Sequence, residues 1–228
     1  MTERGMIFNA EMVRAILDGR KTQTRRIMKV QPESNQLGLL LITDSTKHSD
    51  IGKYHWAESN ATGNHVRSKL FLCPFGAVGD RIWVRETFCP VDDTQYDGEK
   101  WVDYRATPRY EASHPAGWDS APNDAEALKW RPSIHMPRWA SRILLEITDV
   151  RVERLNAISE EDATAEGVPP AGSLLPDYPG TFLTPKGDFA TAKVAFQRLW
   201  ESIYGEESWK ANSWVWVISF KRVEGGAA

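Results

Sequence analysis

The sequence predicts an α+β fold in which a small, strongly curved β-sheet closes into a barrel, with flanking helices and loop insertions. Three segments have the hydrophobic pattern of strands, at residues 81–88, 142–155 and 214–220. Strands and helices do not alternate regularly along the chain, which argues against a doubly wound sheet. A chain of 228 residues, 41% of them hydrophobic, can bury one substantial core, so a single domain over residues 1–228 is expected.

The first predicted element is a short amphipathic helix that ends near residue 18. Asn9 can cap its N-terminus, and Gly19 suits a left-handed exit from its last turn. Its apolar residues fall at helical spacing: Met12, Val13, Ile16 and Leu17. A basic segment over residues 18–26 therefore begins where this helix ends.

The strand predicted at residues 81–88 follows a turn at Gly79 and Asp80. Its alternation puts one carboxylate, Glu86, on the same face as three apolar residues, Ile82, Val84 and Phe88. A carboxylate among apolar neighbours needs a cation or a hydrogen-bond donor, and an arginine from the basic segment is the expected partner. Glu86 is a candidate pocket residue, and a structural ion pair is an equally good interpretation.

A short strand is also indicated at residues 101–106, and the two longer strands have patterns of their own. In residues 142–155 the apolar phase changes between Ile147 and Val150, which predicts a bulge or bend. Residues 214–220 are apolar on both faces, as expected in the middle of a closed or covered sheet.

Two helices are predicted in the second half of the chain. Ser159 can cap a helix over residues 160–166, and Asp188 can start a longer helix that ends before Gly205. Segments 33–69, 107–129 and 169–187 are rich in turn residues or have no sustained periodicity, so they are predicted to be insertions or loops.

Charge and cysteine content exclude several classes of protein. The net charge of −3 argues against broad nonspecific binding to nucleic acid, so any such contact is expected at the basic N-terminal segment. Cys73 and Cys89 have neither metal-ligand spacing nor the density of a disulfide scaffold. No signal peptide or membrane span is visible, so a cytoplasmic protein without a membrane partner is expected.

No cofactor or metal ion is expected. The sequence has no phosphate-binding glycine loop, no nucleophile-elbow serine and no paired His or Cys ligands. His48, His55 and His65 are spaced irregularly inside a predicted loop, which favours ordinary surface histidines over ligands.

Two segments carry candidate binding residues. The run Arg20-Lys-Thr-Gln-Thr-Arg-Arg26 packs cations and hydroxyls together, which suits a polar, nucleotide-like ligand, although a solvated helix end is the ordinary interpretation. Lys21 and Thr24 share a face only if this segment is a turn rather than a strand. The second segment, residues 130–139, is restrained by two prolines and presents Ser133, His135 and Arg138, either as a pocket wall or as a rigid loop anchored by tryptophan.

The order of these segments resembles the ASCH superfamily, whose members have a PUA-like barrel. The similar parts are residues 19–26 after the first helix, 79–84, 155–167 and 214–221. The resemblance extends over most of the chain and is closest to the longer ASCH proteins of bacteriophages and prophages, in which a loop like 130–139 also occurs.

The resemblance implies binding of a nucleoside or a single-stranded nucleic acid. One ASCH branch removes the acyl group from N4-acetylcytidine with a lysine, a threonine and a glutamate, which correspond here to Lys21, Thr24 and Glu166. Arg25 and Arg26 would lower the pKa of Lys21, whose neutral amine would take the proton of Thr24 for attack on the acyl carbon. Glu166 would then protonate the departing amine.

Two alternatives come from other functional classes. A second ASCH branch resembles a ribonuclease, in which Lys21 and His135 would act as acid and base without a metal. The third possibility is an RNA- or DNA-binding module of phage origin without catalysis. The oligomeric state does not follow from the sequence.

Overall fold

The computed structural model describes residues 1–34, 36–60, 63–92, 100–108 and 129–223. Its main element is a five-stranded sheet in the order β1-β6-β9-β12-β2. The strands of this sheet are β1 (Glu3–Ile7), β2 (Gln23–Ile27), β6 (Arg81–Arg85), β9 (Leu144–Arg154) and β12 (Trp214–Arg222). Strands β1 and β6 run parallel, and the other neighbours are antiparallel. The α+β class is therefore confirmed.

Smaller sheets and four helices complete the described fold. A three-stranded sheet contains β3 (Gly38–Leu41), β4 (Tyr54–Asn60) and β5 (Gly63–Val66). Two hairpins pair β7 (Phe88–Asp92) with β8 (Lys100–Tyr104) and β10 (Phe182–Leu183) with β11 (Phe189–Ala190). The helices are α1 (Ala10–Leu17), α2 (Glu160–Ala165), α3 (Ala192–Tyr204) and α4 (Glu206–Lys210). Within the described ranges, no helix is both long enough and apolar enough to cross a membrane.

Strands β12 and β9 confirm the two features predicted from their hydrophobic patterns. Strand β12 lies between β9 and β2, as its two apolar faces predicted. The register of β9 against β12 slips once, because Ser219 is opposite Asp149 whereas the next residue, Phe220, is opposite Ile147. Thr148 is thus the extra residue of a bulge, inside the interval where the apolar phase was predicted to change.

The predicted closed barrel is replaced by an open sheet with β1 and β2 at its edges. These edges are nevertheless close together, because Arg26 Nη2 on β2 donates to the main-chain oxygen of Ile7 on β1 over 2.6 Å. The arginine side chain thus donates to a main-chain oxygen that would accept from a neighbouring strand if the sheet were closed into a barrel.

The sheet carries a hydrophobic core on each face. One core packs α1 against side chains of the sheet and of β4, including Val13, Trp56, Ile82, Leu145 and Trp216. The other core covers Val215 and Val217 with α3 and α4. Successive residues of β12 alternate between these two cores, which explains why the strand is apolar on both faces.

Helix starts follow side-chain caps. Asn9 and Ser159 accept hydrogen bonds from main-chain N–H groups of α1 and α2, as predicted. The prediction that Asp188 starts the long helix was wrong, since the Thr191 side chain caps it and residues 189–190 form a strand instead. Asp188 accepts a hydrogen bond from the Thr184 side chain and pairs with Arg198.

The predicted insertions have different outcomes. Segment 33–69 is not a simple loop, because it contains β3, β4 and β5 and contributes Trp56 to the first core. Three consecutive residues of β4 are buried, His55, Trp56 and Ala57, so the strand has no alternating pattern that would reveal it in the sequence. Segment 169–187 contains only a short 3-10 turn and β10. Most of segment 107–129 lies outside the described residues.

Candidate active site

Lys21 lies in a turn that three elements hold in place. Helix α1 ends before Gly19, whose φ of +74° is the predicted left-handed exit. The N–H of Lys21 donates to the oxygen of Ala15 on α1, and the N–H of Thr22 donates to the oxygen of Ala165 on α2. Thr22 in turn accepts a hydrogen bond from Phe220 of β12. Strand β2 begins only at Gln23, so the segment is first a turn and then a strand.

Lys21 and Glu166 form a buried pair. The Nζ atom of Lys21 is 2.6 Å from Glu166 Oε2 and also donates to the main-chain oxygen of Glu166 over 2.8 Å. Both residues are less than 5% exposed. Gly167 follows the pair with φ of +87°, and a Cβ atom there would lie 2.7 Å from Lys21 Cβ. The glycine thus permits close approach of the α2 C-terminus to the lysine.

Burial lowers the pKa of Lys21 below its ordinary value of 10.5, because a charged amine loses its hydration. Glu166 opposes this shift, and Arg26 and Arg25 add to it by weaker repulsion. The predicted direction is confirmed, although desolvation rather than the arginines is its main cause. A neutral amine is therefore easier to reach than in an exposed lysine.

Arg25 extends the pair into a partly buried ionic network. Its guanidinium contacts Glu166 at 3.3 Å, Asp162 at 2.8 Å and Glu153 at 3.1 Å. Arg151 on β9 also contacts Asp162 and Glu153, each at 2.6 Å. Gln23 completes the group by donating to Asp162 and accepting from Arg25. This network ties α2 to β2 and β9.

The sequence reasoning did not find four members of this network: Gln23, Arg151, Glu153 and Asp162. The available signals were weak. Arg151 and Glu153 alternate in phase on β9, and Asp162 lies in the acidic first turn of α2. A helix N-terminus attracts acidic residues in any protein, so this pattern alone did not indicate a partner.

Thr24 and Arg26 lie on the opposite face of β2 from Gln23 and Arg25. Thr24 is opposite Ile218, a residue of the first core, whereas Arg25 is opposite Val217 of the second core. Thr24 is buried, and no hydrogen bond joins it to Lys21 or Glu166, all three of which the structure describes. The structure therefore brings two of the three predicted catalytic residues into contact.

Glu86 is buried as predicted, but its partner was wrongly predicted. Arg142, and not an arginine of the N-terminal segment, makes a two-pronged contact with both carboxylate oxygens at 3.0 Å. Burial raises the pKa of Glu86, and Arg142 opposes the rise. Arg142 also donates to Thr107 and lies over the ring of Tyr104, 3.9 Å from its centroid. This geometry is that of a structural ion pair.

Ser133, His135 and Arg138 lie on a loop at the β1–β6 edge. The main-chain oxygen of Ser133 accepts from Arg85, and Arg138 donates to Glu3. His135 is exposed. Among the residues described, no hydrogen bond or ion pair joins this loop to Lys21 or Glu166.

A cavity of about 480 Å³ lies beside the Lys21–Glu166 pair. Glu166 lines it, whereas Lys21 does not. Helix α1, helix α3 and the segment before β11 form the walls. The apolar lining comes from Met12, Val168, Pro169, Leu183, Pro185, Ala195 and Leu199, and the charged lining from Glu11, Arg14, Asp18 and Arg20. The volume is in the range of small-molecule sites.

Comparison with known proteins does not assign the chain to a family. No protein-family model, curated protein or solved structure matches the chain. The ASCH resemblance stays a prediction that rests on the sequence segments. In the described part of the chain, no group of three or more His, Cys, Asp or Glu side chains is placed to hold a metal ion.

Proposed function

We propose that the protein is an ASCH-type amidohydrolase that removes the acyl group from N4-acylated cytosine-type bases. The observation that carries the proposal is the 2.6 Å contact between Lys21 and Glu166 at the side of a ligand-sized cavity. A lysine whose pKa is lowered by burial and a carboxylate in direct contact with it form a pair that can exchange a proton.

The curvature of the sheet supports the PUA-like part of the proposal. Edge strands β1 and β2 are four strand positions apart in the ladder, yet one arginine side chain connects them. A flat sheet of five strands would separate its edges by about 19 Å, since neighbouring strands are about 4.8 Å apart. The sheet must therefore curl strongly, as a small barrel does.

The cavity suits a nucleoside in size and in chemistry. Apolar side chains such as Met12 and Leu199 provide surfaces for the faces of a base, and charged groups such as Arg14 and Asp18 provide polar contacts for the sugar. In this proposal the acyl amide of the substrate lies against Glu166, because this residue both lines the cavity and contacts Lys21.

The reaction consumes one water molecule. A nucleophile adds to the acyl carbonyl carbon, the bond from that carbon to N4 breaks, and N4 leaves as the amine after it accepts a proton. In this proposal the Lys21–Glu166 pair takes the proton that the nucleophile releases, and Glu166 then transfers a proton to N4. The products are a carboxylate and the unmodified base.

Two nucleophiles are compatible with this chemistry, the hydroxyl of Thr24 and a water molecule beside Glu166. Thr24 is opposite Ile218 of β12 and lies on the face of β2 that is turned away from the Arg25–Glu166 contact. This position favours water. A Thr24→Val variant decides between them, because it removes the hydroxyl and preserves the volume. Lost hydrolysis would assign the nucleophile to Thr24, and retained hydrolysis would assign it to water.

The proposal is tested by incubating the protein with N4-acetylcytidine, without added metal, and separating the products by chromatography with mass detection. Glu166→Gln and Lys21→Met are each expected to lower the rate at least about 100-fold, the usual contribution of a general acid or base. Lys210→Met is the matched control, since this lysine is exposed on α4 and should leave the rate unchanged.

Circular dichroism must show that each variant is folded. A wild-type protein that releases no cytidine would contradict the proposal. A short single-stranded RNA in a parallel reaction covers the alternative function, because RNA cleavage without deacylation would indicate a nuclease.

A further inference from the structure

The outward face of strand β6 combines arginine and tryptophan. Ile82 and Val84 point into the first core, so the alternating residues Arg81, Trp83 and Arg85 point away from it. The guanidinium carbon of Arg85 lies 5.4 Å from the ring centroid of Trp83, which is a cation–π contact. The core thus fixes the direction of these three side chains.

Gly5 on the neighbouring strand makes room for this contact. Gly5 is opposite Trp83 in the parallel register, and a Cβ atom on it would lie 2.7 Å from Trp83 Cζ2 and 2.8 Å from Arg85 Cδ. The indole and the arginine stem therefore lie directly across the main chain of β1. Only glycine leaves this face flat enough for both side chains.

The loop at residues 133–139 is attached to the same face at two points. The main-chain oxygens of Ser133 and Ile134 accept hydrogen bonds from Arg85. Near the other end of the loop, Arg138 Nε donates to Glu3 Oε2 over 2.9 Å. The loop holds two apolar side chains in solvent, Trp139 at 72% and Ile134 at 61% exposure. We call the set Arg81, Trp83, Arg85, Arg138 and Trp139 the Arg–Trp face.

The Arg–Trp face carries an excess of positive charge. Two of its three arginines share one carboxylate, Glu3, which lies 3.9 Å from Arg81 and 2.9 Å from Arg138. Arg85 contacts main-chain oxygens and has no carboxylate partner within the part of the chain that the structure describes. A second carboxylate, Glu146, is directly opposite Arg81 on β9, but it pairs with Lys221 at 2.9 Å and therefore leaves the balance of charge unchanged.

We propose that the Arg–Trp face binds a single-stranded nucleic acid, with Trp139 stacked on an unpaired base and Arg85 and Arg138 close to phosphates. Exposed aromatic rings beside arginines are how strand-binding proteins hold bases and backbone without reading sequence. A local cationic surface on a chain of net charge −3 also orients a polyanion toward this face.

A protein partner is less favoured, although tryptophan and arginine are common at protein interfaces. Three arginines with one carboxylate between them would remain underpaired in an ordinary interface, whereas a phosphate backbone supplies the missing anions. The inference goes beyond the proposed deacylation, because none of the five residues lines the cavity beside Glu166.

The test is fluorescence anisotropy with a labelled oligonucleotide of about 12 nucleotides, as single-stranded RNA, single-stranded DNA and duplex. Trp139→Ala is expected to weaken single-strand binding about 10-fold, consistent with the loss of one stacked base. Arg138→Met is expected to reduce the slope of log affinity against log salt by about one, measured between about 50 and about 200 mM salt. Tyr178→Ala, which removes another exposed aromatic ring, should leave binding unchanged.

Several results would overturn the proposal. The wild-type protein could bind no single strand, or bind the duplex as tightly as the single strand. Alternatively, Tyr178→Ala could weaken binding as much as Trp139→Ala does, or Trp139→Ala could leave binding unchanged. Self-association seen by sedimentation and abolished by Trp139→Ala, without strand binding, would instead identify a contact between copies of the chain. Hydrolysis of free N4-acetylcytidine should be unaffected in Trp139→Ala, so failure of one proposal is distinguishable from failure of the other.

Discussion

Arg26 and Ile7 connect the two edges of the central sheet. The Nη2 atom of Arg26 donates to the main-chain oxygen of Ile7 over 2.6 Å, and the guanidinium lies 5.3 Å from the ring centroid of Phe8. No main-chain ladder joins β1 to β2 among the described strands. A single side chain therefore provides the connection that strand pairing provides in a closed barrel.

Replacement of Arg26 by methionine should destabilise the protein by about 1–2 kcal/mol, because it removes a charged hydrogen bond and a cation–π contact. Urea unfolding followed by circular dichroism measures the change. Arg67→Met is the matched control, since Arg67 pairs with Glu58 on the surface and should contribute less than about 1 kcal/mol. Equal losses in the two variants would show that the Arg26 contact does not stabilise the sheet.

Arg25→Met should cost about 3 kcal/mol or more, because Glu166, Asp162 and Glu153 would lose a buried cation that all three contact. The methionine side chain preserves most of the apolar packing on α3. The free energy of unfolding in urea is the measurement. Arg198→Met provides the comparison, since the Arg198–Asp188 pair is on the surface and its loss should be small. A loss below about 1 kcal/mol in Arg25→Met would refute a stabilising network.

Local features were predictable from the sequence because neighbouring residues determine them. The caps at Asn9 and Ser159 and the exit at Gly19 depend on groups within one helical turn. The bulge at Thr148 was predictable within a few residues, since an inserted residue reverses the order of apolar and polar positions along a strand.

Contacts between distant segments were predictable only where a family resemblance supplied them. Lys21 and Glu166, separated by 145 positions, were grouped in this way and are in contact. The pairing of Glu86 with Arg142 was missed, because burial indicates that a carboxylate needs a cation without indicating which one. Thr191 replaced Asp188 as a cap because a two-residue strand intervenes, and so short a strand has no recognisable period.

Asp80 should make the free energy of unfolding depend on pH in the acid range. Its pKa is lowered from 3.8 to about 2, mainly because the main-chain N–H of Thr2 donates to the carboxylate, and Arg4 assists. A lowered carboxyl pKa means that the folded state holds the proton less well than the unfolded state. The stabilisation is therefore present above a pH of about 4 and is lost as the pH falls through about 2.

Asp80→Asn should accordingly lower the free energy of unfolding by about 1–2 kcal/mol near neutral pH, and the difference from wild type should shrink toward pH 2. Urea titrations at several pH values measure it. Asp44→Asn is the control, because Asp44 is exposed and has no hydrogen bond or ion pair among the described residues. A difference that stays constant with pH would contradict the role of the Asp80 carboxylate.

Gly167→Ala should disturb the Lys21–Glu166 pair directly. Alanine at φ of +87° is strained, and its Cβ would lie 2.7 Å from Lys21 Cβ and 2.9 Å from Ala15 Cβ. Gly180 has the same φ of +87° with no atom within 4 Å of a Cβ, so Gly180→Ala measures the backbone strain alone. We expect about 1 kcal/mol from Gly180→Ala and about 1–3 kcal/mol more from Gly167→Ala, measured by urea unfolding. If the two glycine variants lost the same stability, the close packing of α2 on Lys21 would have no energetic role.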